Sequence, residues 1–319
     1  MGFVGAMAVA MAVDALAGWP APLFTRIGHP VTWLGAIIAG LDARWNRTTD
    51  APMVRRVAGL AAALLVIGLA GGLGWVLQAS FPTGWSRMVL IGIVAWPFVA
   101  LRSLHDHVAA VSAPLQVGDL AGARVAVSQI VGRDPATLDE AGIARAAIES
   151  LAENTSDGVM APLFWGALFG LPGIIGYKAI NTLDSMIGHR TVRHEAFGWA
   201  SARIDDLVNL VPARQSALLL AIAAPVVGGS FMRSLRIALD DARKHRSPNA
   251  GWPESAMAAA LGLALAGPRV YPERVVDDPF INAAGRKGAA PADISRALRL
   301  LVAACVVEGA VYAALALLV

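Results

Sequence analysis

Apolar residues come in long runs along this chain, and short polar stretches bound the runs. Val57 to Ala79 and Leu300 to Val319 are as long as the roughly 20 mostly apolar residues that a spanning helix needs. Met1 to Ala17 and Met88 to Leu104 are shorter; Arg102 can snorkel from the end of the second. Two further runs are interrupted, Val159 to Gly176 by Pro162 and Pro172, and Ser216 to Gly229 by Pro225. Positive charge arbitrates among topologies, because Lys and Arg collect on the cytoplasmic side. Twenty of the 26 Lys and Arg lie between Arg102 and Arg299. If neither interrupted run crosses, all of them share one face. The favoured expectation is therefore an all-α, polytopic integral membrane protein. It has four firm spans, both ends outside, and two short re-entrant or hairpin hydrophobic segments. Six spans is the competing arrangement.

One membrane-embedded domain is expected over residues 1–319. Residues 105–157 read as a soluble helical insertion, in which Thr137-Leu-Asp-Glu140 is a capping box starting a helix near Leu138. Ser247 to Ala256 reads as a Pro/Gly-rich turn entering a small-residue helix, and 269–296 as an irregular polar loop. Composition agrees with the hydropathy pattern. The chain is 56% hydrophobic and 15% charged, where an average soluble domain is about a quarter charged. A net charge of +3 without a basic block argues against a nucleic-acid partner. Cys305, alone in an apolar run, supports no disulfide and reads as packing. The N-terminal run has no positive flank before Arg26, so it reads as a retained span. Asp14 within it is either a functional intramembrane group or a cap near one face.

The polar residues after the first interrupted run carry the chemistry. Taken as one helix from Lys178 to His189, the segment puts Lys178, Asn181, Asp184, Ser185 and His189 on one face and Ile180, Leu183 and Ile187 on the other. The next segment repeats the device with Asp205, Asp206 and Asn209, backed by Ile204, Leu207, Val208 and Val211. Two carboxylates and an amide oxygen suit a hard cation such as Mg²⁺, with Arg190, Arg203 and Arg214 placed to bind phosphate. Residues 178–214 are thus the expected site segment. Glu149, Glu153 and Asp157 fall at helical spacing on a face pointing away from the apolar residues, which reads as an exposed acidic face. His29 reads as a hydrogen-bonding group. The Gly-rich 70–74 segment reads as helix packing, and no phosphate-binding loop of the GxxxxGK[ST] type occurs.

ESLAENTSDGVMAPLFW, GLPGIIGYKAINTLDSMIGHR, FGWASARIDDLVNLVPAR and SPNAGWPESAMAAALGLAL occur in that order, after DALAGWP and IGHPVTWLG near the start. These blocks resemble the adenosylcobinamide-phosphate synthase family of cobalamin biosynthesis. The resemblance implies a multi-pass inner-membrane ligase with its site on the cytoplasmic side. It would join aminopropanol, free or phosphorylated, to a carboxyl of adenosylcobyric acid using ATP and Mg²⁺. Beyond this corrinoid, the amine and membrane lipid, the expected partners are other enzymes of the same pathway. On the resemblance, Glu149, Glu153 and Asp184 become catalytic candidates. Asn154, Asp157, Lys178, Asn181, Ser185, His189, Arg190, Arg203, Arg214 and Asn249 become substrate- or phosphate-binding candidates. Asp205, Asp206 and Asn209 are the expected metal ligands. The rival readings are a Mg²⁺-dependent membrane prenyltransferase, whose Asp-rich spacing the two stripes only approximate, and a small-molecule transporter.

Overall fold

The computed structural model describes residues 2–132, 135–271, 274–276 and 278–318, with backbone alone over 269–271 and 274–276. Residues 1–100 form α1 (Gly2–Ala17), α2 (Ala21–Ile27), α3 (Pro30–Trp45), α4 (Pro52–Ser80) and α5 (Trp85–Ala95). Then come α6 (Leu101–Gln116), α7 (Leu120–Ser128) and α8 (Glu140–Asn154), followed by α9 (Ala161–Phe169), α10 (Leu171–Leu183) and α11 (Trp199–Val208). The chain ends with α12 (Leu210–Ala223), α13 (Phe231–Asp241), α14 (Gly251–Leu261) and α15 (Pro291–Leu318). These fall into two compact units, each made of separated stretches. The first holds Met1–Ala100, Ala161–Asn209 and Tyr312–Val319, and the second holds Leu101–Met160 and Leu210–Val311.

Among the described residues four helical stretches are long and apolar enough to cross a membrane: Pro52–Ser80, Trp85–Gln116, Leu210–Val227 and Pro291–Leu318. The protein is all-α and polytopic, as expected, but the membership of the set differs from the sequence expectation in three ways. Met1 to Ala17 is too short by itself; α1 and the stretch Ala21–Trp45 qualify only as a pair bent by 104°. Gly18 (φ 56°) and Pro20 explain the bend, since neither continues an α-helix there. Ser216 to Gly229, expected as a shallow hairpin, belongs to the 18-residue stretch Leu210–Val227. The expected soluble insertion from residue 105 begins inside a largely helical stretch that runs to Gln116, broken by a 3₁₀ turn at Trp96–Phe98 and the non-helical Val99 and Ala100. Val159 to Gly176 is broken as expected: Gly170 (φ 68°) separates α9 from α10.

In the first unit, α4 is the wall on which the site is built. Its buried side is a stripe of small residues, Gly59, Ala62, Ala63, Val66, Ala70 and Gly74. Its other side exposes Leu64, Leu69, Leu73 and Trp75. An apolar exposed face with a small-residue buried face is what a lipid-bathed helix needs. A Cβ on Gly74 would lie 2.7 Å from the Leu171 carbonyl carbon, so only glycine lets α10 come this close. Gln78, one turn further along α4, caps α10 by accepting a hydrogen bond from the Leu171 N–H at 2.8 Å. That bond replaces the partner a helix N-terminus otherwise lacks.

In the second unit α14, almost wholly buried, packs against α12, α13 and α8. Its alanines permit close approach, and Gly262 (φ 71°) ends it in the left-handed region. The helix expected to start near Leu138 starts at Glu140. Asp139, rather than Thr137, caps it by accepting from the Gly142 N–H at 2.7 Å. Aspartate is the stronger cap, and it displaces the threonine by two residues. The expected polar loop over 269–296 lies partly outside the described residues. Within them, Arg269–Tyr271 pairs antiparallel with Arg274–Val276, Leu265–Ala266 pairs with Phe280–Ile281, and α15 begins at Pro291. Cys305 is buried, in keeping with a packing role.

Candidate functional site

The segment expected as one helix from Lys178 to His189 is two structures. The α-helix runs from Leu171 to Leu183, and a π-turn follows over Asp184–Gly188. Side-chain hydroxyls compete with the backbone ladder here. Thr182 donates to the Lys178 carbonyl at 2.6 Å, and Ser185 donates to the Asn181 carbonyl at 2.8 Å. The turn brings Asp184 Oδ1 to 2.0 Å from where a Cβ on Gly188 would sit, so Gly188 clears room for this carboxylate. His189 leaves the helix with extended backbone, and His189, Arg190 and Ser185 are exposed.

The next segment is also divided. Helix α11 stops at Val208, and α12 starts at Leu210. Pro212 has no N–H for the Val208 carbonyl. The Trp165 indole takes that carbonyl instead, donating at 3.1 Å. Around this break the polar face turns inward. Asp205 is 8% exposed and Asn209 0%, whereas Leu207 is 67% exposed and Val211 58%. The sequence reading had the apolar side buried. Hydrogen-bond partners inside the protein decide the direction, since a buried polar side chain is tolerated only where it is paired.

The expected metal trio is thereby split. Asn209 donates from Nδ2 to Asp205 Oδ2 at 2.9 Å and accepts from the Tyr177 hydroxyl at 2.9 Å. Its side chain ties α11 to α10. Asp206 points elsewhere and pairs with Arg203 at 3.1 Å. Among the described residues no group of three or more His, Cys, Asp or Glu converges as a metal cage. Asp206 instead lies within electrostatic reach of Asp184. Burial pushes the Asp184 carboxyl above its ordinary range; His189 opposes the shift and Asp206 adds to it. Burial likewise raises Asp206, against Arg203 and Arg190. Two half-buried carboxylates raised by burial, with the amide of Asn181 one turn before Asp184, fit a Mg²⁺ ion that completes its shell with water and phosphate. Lys178 is half-buried on α10, close enough to His29 for its charge to be felt there. His29 itself caps α3, accepting from the Val31 N–H at 3.2 Å, which agrees with its expected hydrogen-bonding role.

The remaining candidates belong to the second unit. A polar cavity of about 270 Å³ is lined by Glu149, Ser150, Glu153, Asn154, His245 and Glu254, together with the Ile130–Gly132 turn. Glu149 was expected on an exposed face. It is 7% exposed, because the strand beyond α14 covers it and the Ala266 N–H donates to Oε1 at 2.8 Å. Glu153 and Asn154 are exposed at the end of α8. Asp157 is half-buried within a second π-turn, Thr155–Met160. Arg214 stacks its guanidinium on Trp252 at 4.6 Å from the ring centre. Asn249 is buried in the turn before α14, its N–H donating to the Ser247 hydroxyl at 3.2 Å. Sequence reasoning missed Glu254 and His245. Glu254 is 2% exposed, and His245 Nε2 lies 3.6 Å from its Oε1. His245 Nδ1 accepts the Ser247 N–H at 3.0 Å, which leaves Nε2 as the protonated nitrogen facing the carboxylate. A charged residue among the small residues of the α14 segment was the signal available for Glu254.

A further group in the first unit also escaped the sequence reading. Arg193 clamps Asp42 with Nε and Nη2 at 2.9 and 2.7 Å. Asn46 donates to the Arg193 carbonyl at 3.0 Å; Arg55 donates to the same carbonyl and to Asn46 Oδ1, the latter at 2.8 Å. The network staples the connection between the π-turn and α11 to α3 and α4.

The profile of the CobD/Cbib protein family matches residues 7–301. A cobalamin biosynthesis protein CobD from Rhodobacter capsulatus is 58% identical over 300 residues, 94% of this chain and 93% of that protein. Its namesake from a Sinorhizobium species is 46% identical over 315 residues, 98% of each chain. A third, from Brucella suis, is 44% identical over 300 residues, 92% of this chain and 91% of its own. No solved structure matches. With a family profile and such relatives spanning nearly its whole length, this chain belongs to the CobD/CbiB family of cobalamin biosynthesis proteins.

Proposed function

We propose that the protein is an ATP-dependent ligase that joins aminopropanol, free or phosphorylated, to a free carboxyl of adenosylcobyric acid, at the cytoplasmic face of the inner membrane. The observation that carries this reading is the CobD/Cbib profile over residues 7–301, and the Arg203–Asp206 pair at 3.1 Å beside half-buried Asp184 supplies charged groups suited to phosphate chemistry. Condensing a carboxylate with an amine in water needs the carboxylate activated first. Transfer of the ATP γ-phosphoryl to the carboxylate oxygen gives an acyl phosphate and ADP. The neutral amine then attacks the acyl carbon, releasing phosphate and one proton.

Charge is the main obstacle in both steps, so catalysis rests on positioned cations and hydrogen-bond donors. Mg²⁺, when bound, neutralises phosphate charge and orients the transferring group. Asp184, Asp206 and Asn181 would hold it. Arg190 and Arg203, on exposed flexible stems at the edge of the turn and on α11, would grip phosphate oxygens through their planar forks.

The test uses detergent-purified protein with ATP, Mg²⁺, adenosylcobyric acid and aminopropanol or its phosphate, read by mass spectrometry. A product heavier than the acid by the amine less one water, with one ADP formed per amide, is expected. Folded protein that yields no such product overturns the reading.

A further inference from the structure

One groove in the first unit takes no part in phosphate chemistry. It measures about 190 Å³ and is lined by Ile67 of α4, Trp165 of α9, Gly173, Gly176 and Ile180 of α10, and Val208 at the end of α11. Its wall is almost wholly apolar. The polar groups of the two aromatic side chains in it are already engaged. The Trp165 N–H donates to the Val208 carbonyl at 3.1 Å, and the Tyr177 hydroxyl donates to Asn209 at 2.9 Å. An apolar cavity of this kind stays dry and takes an apolar guest, because water needs polar partners. Gly176 is buried, yet a Cβ on it would meet no atom within 4 Å, so the space opens directly over the α10 backbone. Left empty, that space would strip the lining atoms of dispersion contacts on one side.

The groove is continuous with the lipid-bathed side of α4. Ile67, Trp165, Pro172 and Val208 are half-exposed, and their neighbours Leu64, Leu207 and Phe169 are exposed and apolar. Depth agrees with a lipid guest. Arg56, exposed near the start of α4, lies 5.9 Å from the centre of the exposed Trp199 ring. An arginine and a tryptophan together at the end of a span mark the headgroup level. Ile67 stands eleven residues further along α4, which is about 16 Å at the helical rise. Half of a hydrocarbon core of about 30 Å is about 15 Å. A chain anchored level with Arg56 therefore ends in the groove. We propose that the groove between α4, α10 and α11 binds one acyl chain of a membrane phospholipid, with the end of the chain over Gly176 and the phosphate level with Arg56. The bound chain fills the gap that glycine leaves and joins the α9–α10 pair to α4. This requires only the spans and the cavity, and is independent of the ligase reading.

The full chain, reconstituted in nanodiscs of a single phosphatidylcholine, is weighed by native mass spectrometry under activation that strips loosely held lipid. One retained phospholipid per chain is expected. Nanodiscs of phosphatidylglycerol should give the same count, because the chain and not the headgroup is gripped. Gly176→Leu should lower retention at least tenfold by filling the groove from its floor. Gly72→Leu adds the same side chain at an exposed glycine outside the groove, where a Cβ meets nothing within 4 Å, and should leave retention unchanged. Ile67→Trp fills the groove from the α4 wall and replaces Gly176→Leu if that variant does not fold. No retained lipid in the unsubstituted protein, retention with one headgroup alone, or a lipid still held by every folded groove variant overturns the proposal. So does a dimer that the same substitutions dissociate, since a second copy of the chain would then be the occupant. The ligase reading fails separately, on an absent amide product.

Discussion

Replacing Asn209 by aspartate tests the inward turn of the α11 stripe. Asn209 is wholly buried and donates to Asp205 Oδ2 at 2.9 Å. In Asn209→Asp that donor becomes a second carboxylate facing the first. Two unit charges about 4 Å apart repel by about 4 kcal/mol at an effective dielectric of about 20. The pair escapes by holding one proton, which restores a hydrogen bond. Keeping that proton at pH 7 costs about 1.4 kcal/mol for each unit by which the ambient pH exceeds the pair's upper pKa. The folded variant then binds a proton that the unfolded chain, with an ordinary aspartate near 3.9, has released. Its stability must therefore rise as pH falls toward the unfolded value. Asn209→Ala loses the hydrogen bonds, at about 1–3 kcal/mol, without gaining a titrating group. Thermal unfolding in detergent at pH 5.5 and 7.5, followed by tryptophan fluorescence, separates the two. The aspartate variant should recover most of its deficit at the lower pH, and the alanine variant should not. Equal deficits at both pH values would mean that residues 205 and 209 do not face each other in a buried site.

Gly59→Ala would place a Cβ 1.8 Å from the Phe197 carbonyl oxygen, a backbone atom, whereas Gly72 has no atom within 4 Å of the same construction. The first should cost about 1–3 kcal/mol or more of stability by thermal unfolding, and the second nearly nothing. Gln78→Ala leaves the buried Leu171 N–H without its acceptor and should cost about 1–3 kcal/mol in the same assay. Burial holds Asp184 protonated to a higher pH than an ordinary aspartate, so protons would compete with the cation proposed for it. Mn²⁺ affinity at that site should climb as pH rises from about 4, and Asp184→Asn should abolish the climb. The same shift makes the Asp184 contribution to stability greatest below the unfolded pKa, and it fades as pH rises through the folded one.

Much of this was legible in the order of residues. The spans Pro52–Ser80 and Pro291–Leu318 follow from apolar length alone, because lipid tolerates no unsatisfied backbone and a long apolar helix satisfies its own. That the run Val159 to Gly176 is broken was written in Pro172, beside which the chain breaks at Gly170. Helical periodicity said that Asp205 and Asn209 share a side. It was silent on whether that side faces protein or surroundings, because the wheel shows which residues share a side and not what that side meets. Only packing against Tyr177 decided it. Periodicity also presumes an unbroken ladder, so the π-turns of Thr155–Met160 and Asp184–Gly188 lay beyond it, set by hydroxyls bonding back to carbonyls. The stapling of Arg193 by Asp42, Asn46 and Arg55, and the meeting of His245 with Glu254, join residues distant along the chain or on different elements. Such pairs carry no local signal. They exist only once burial has removed water as the competing partner.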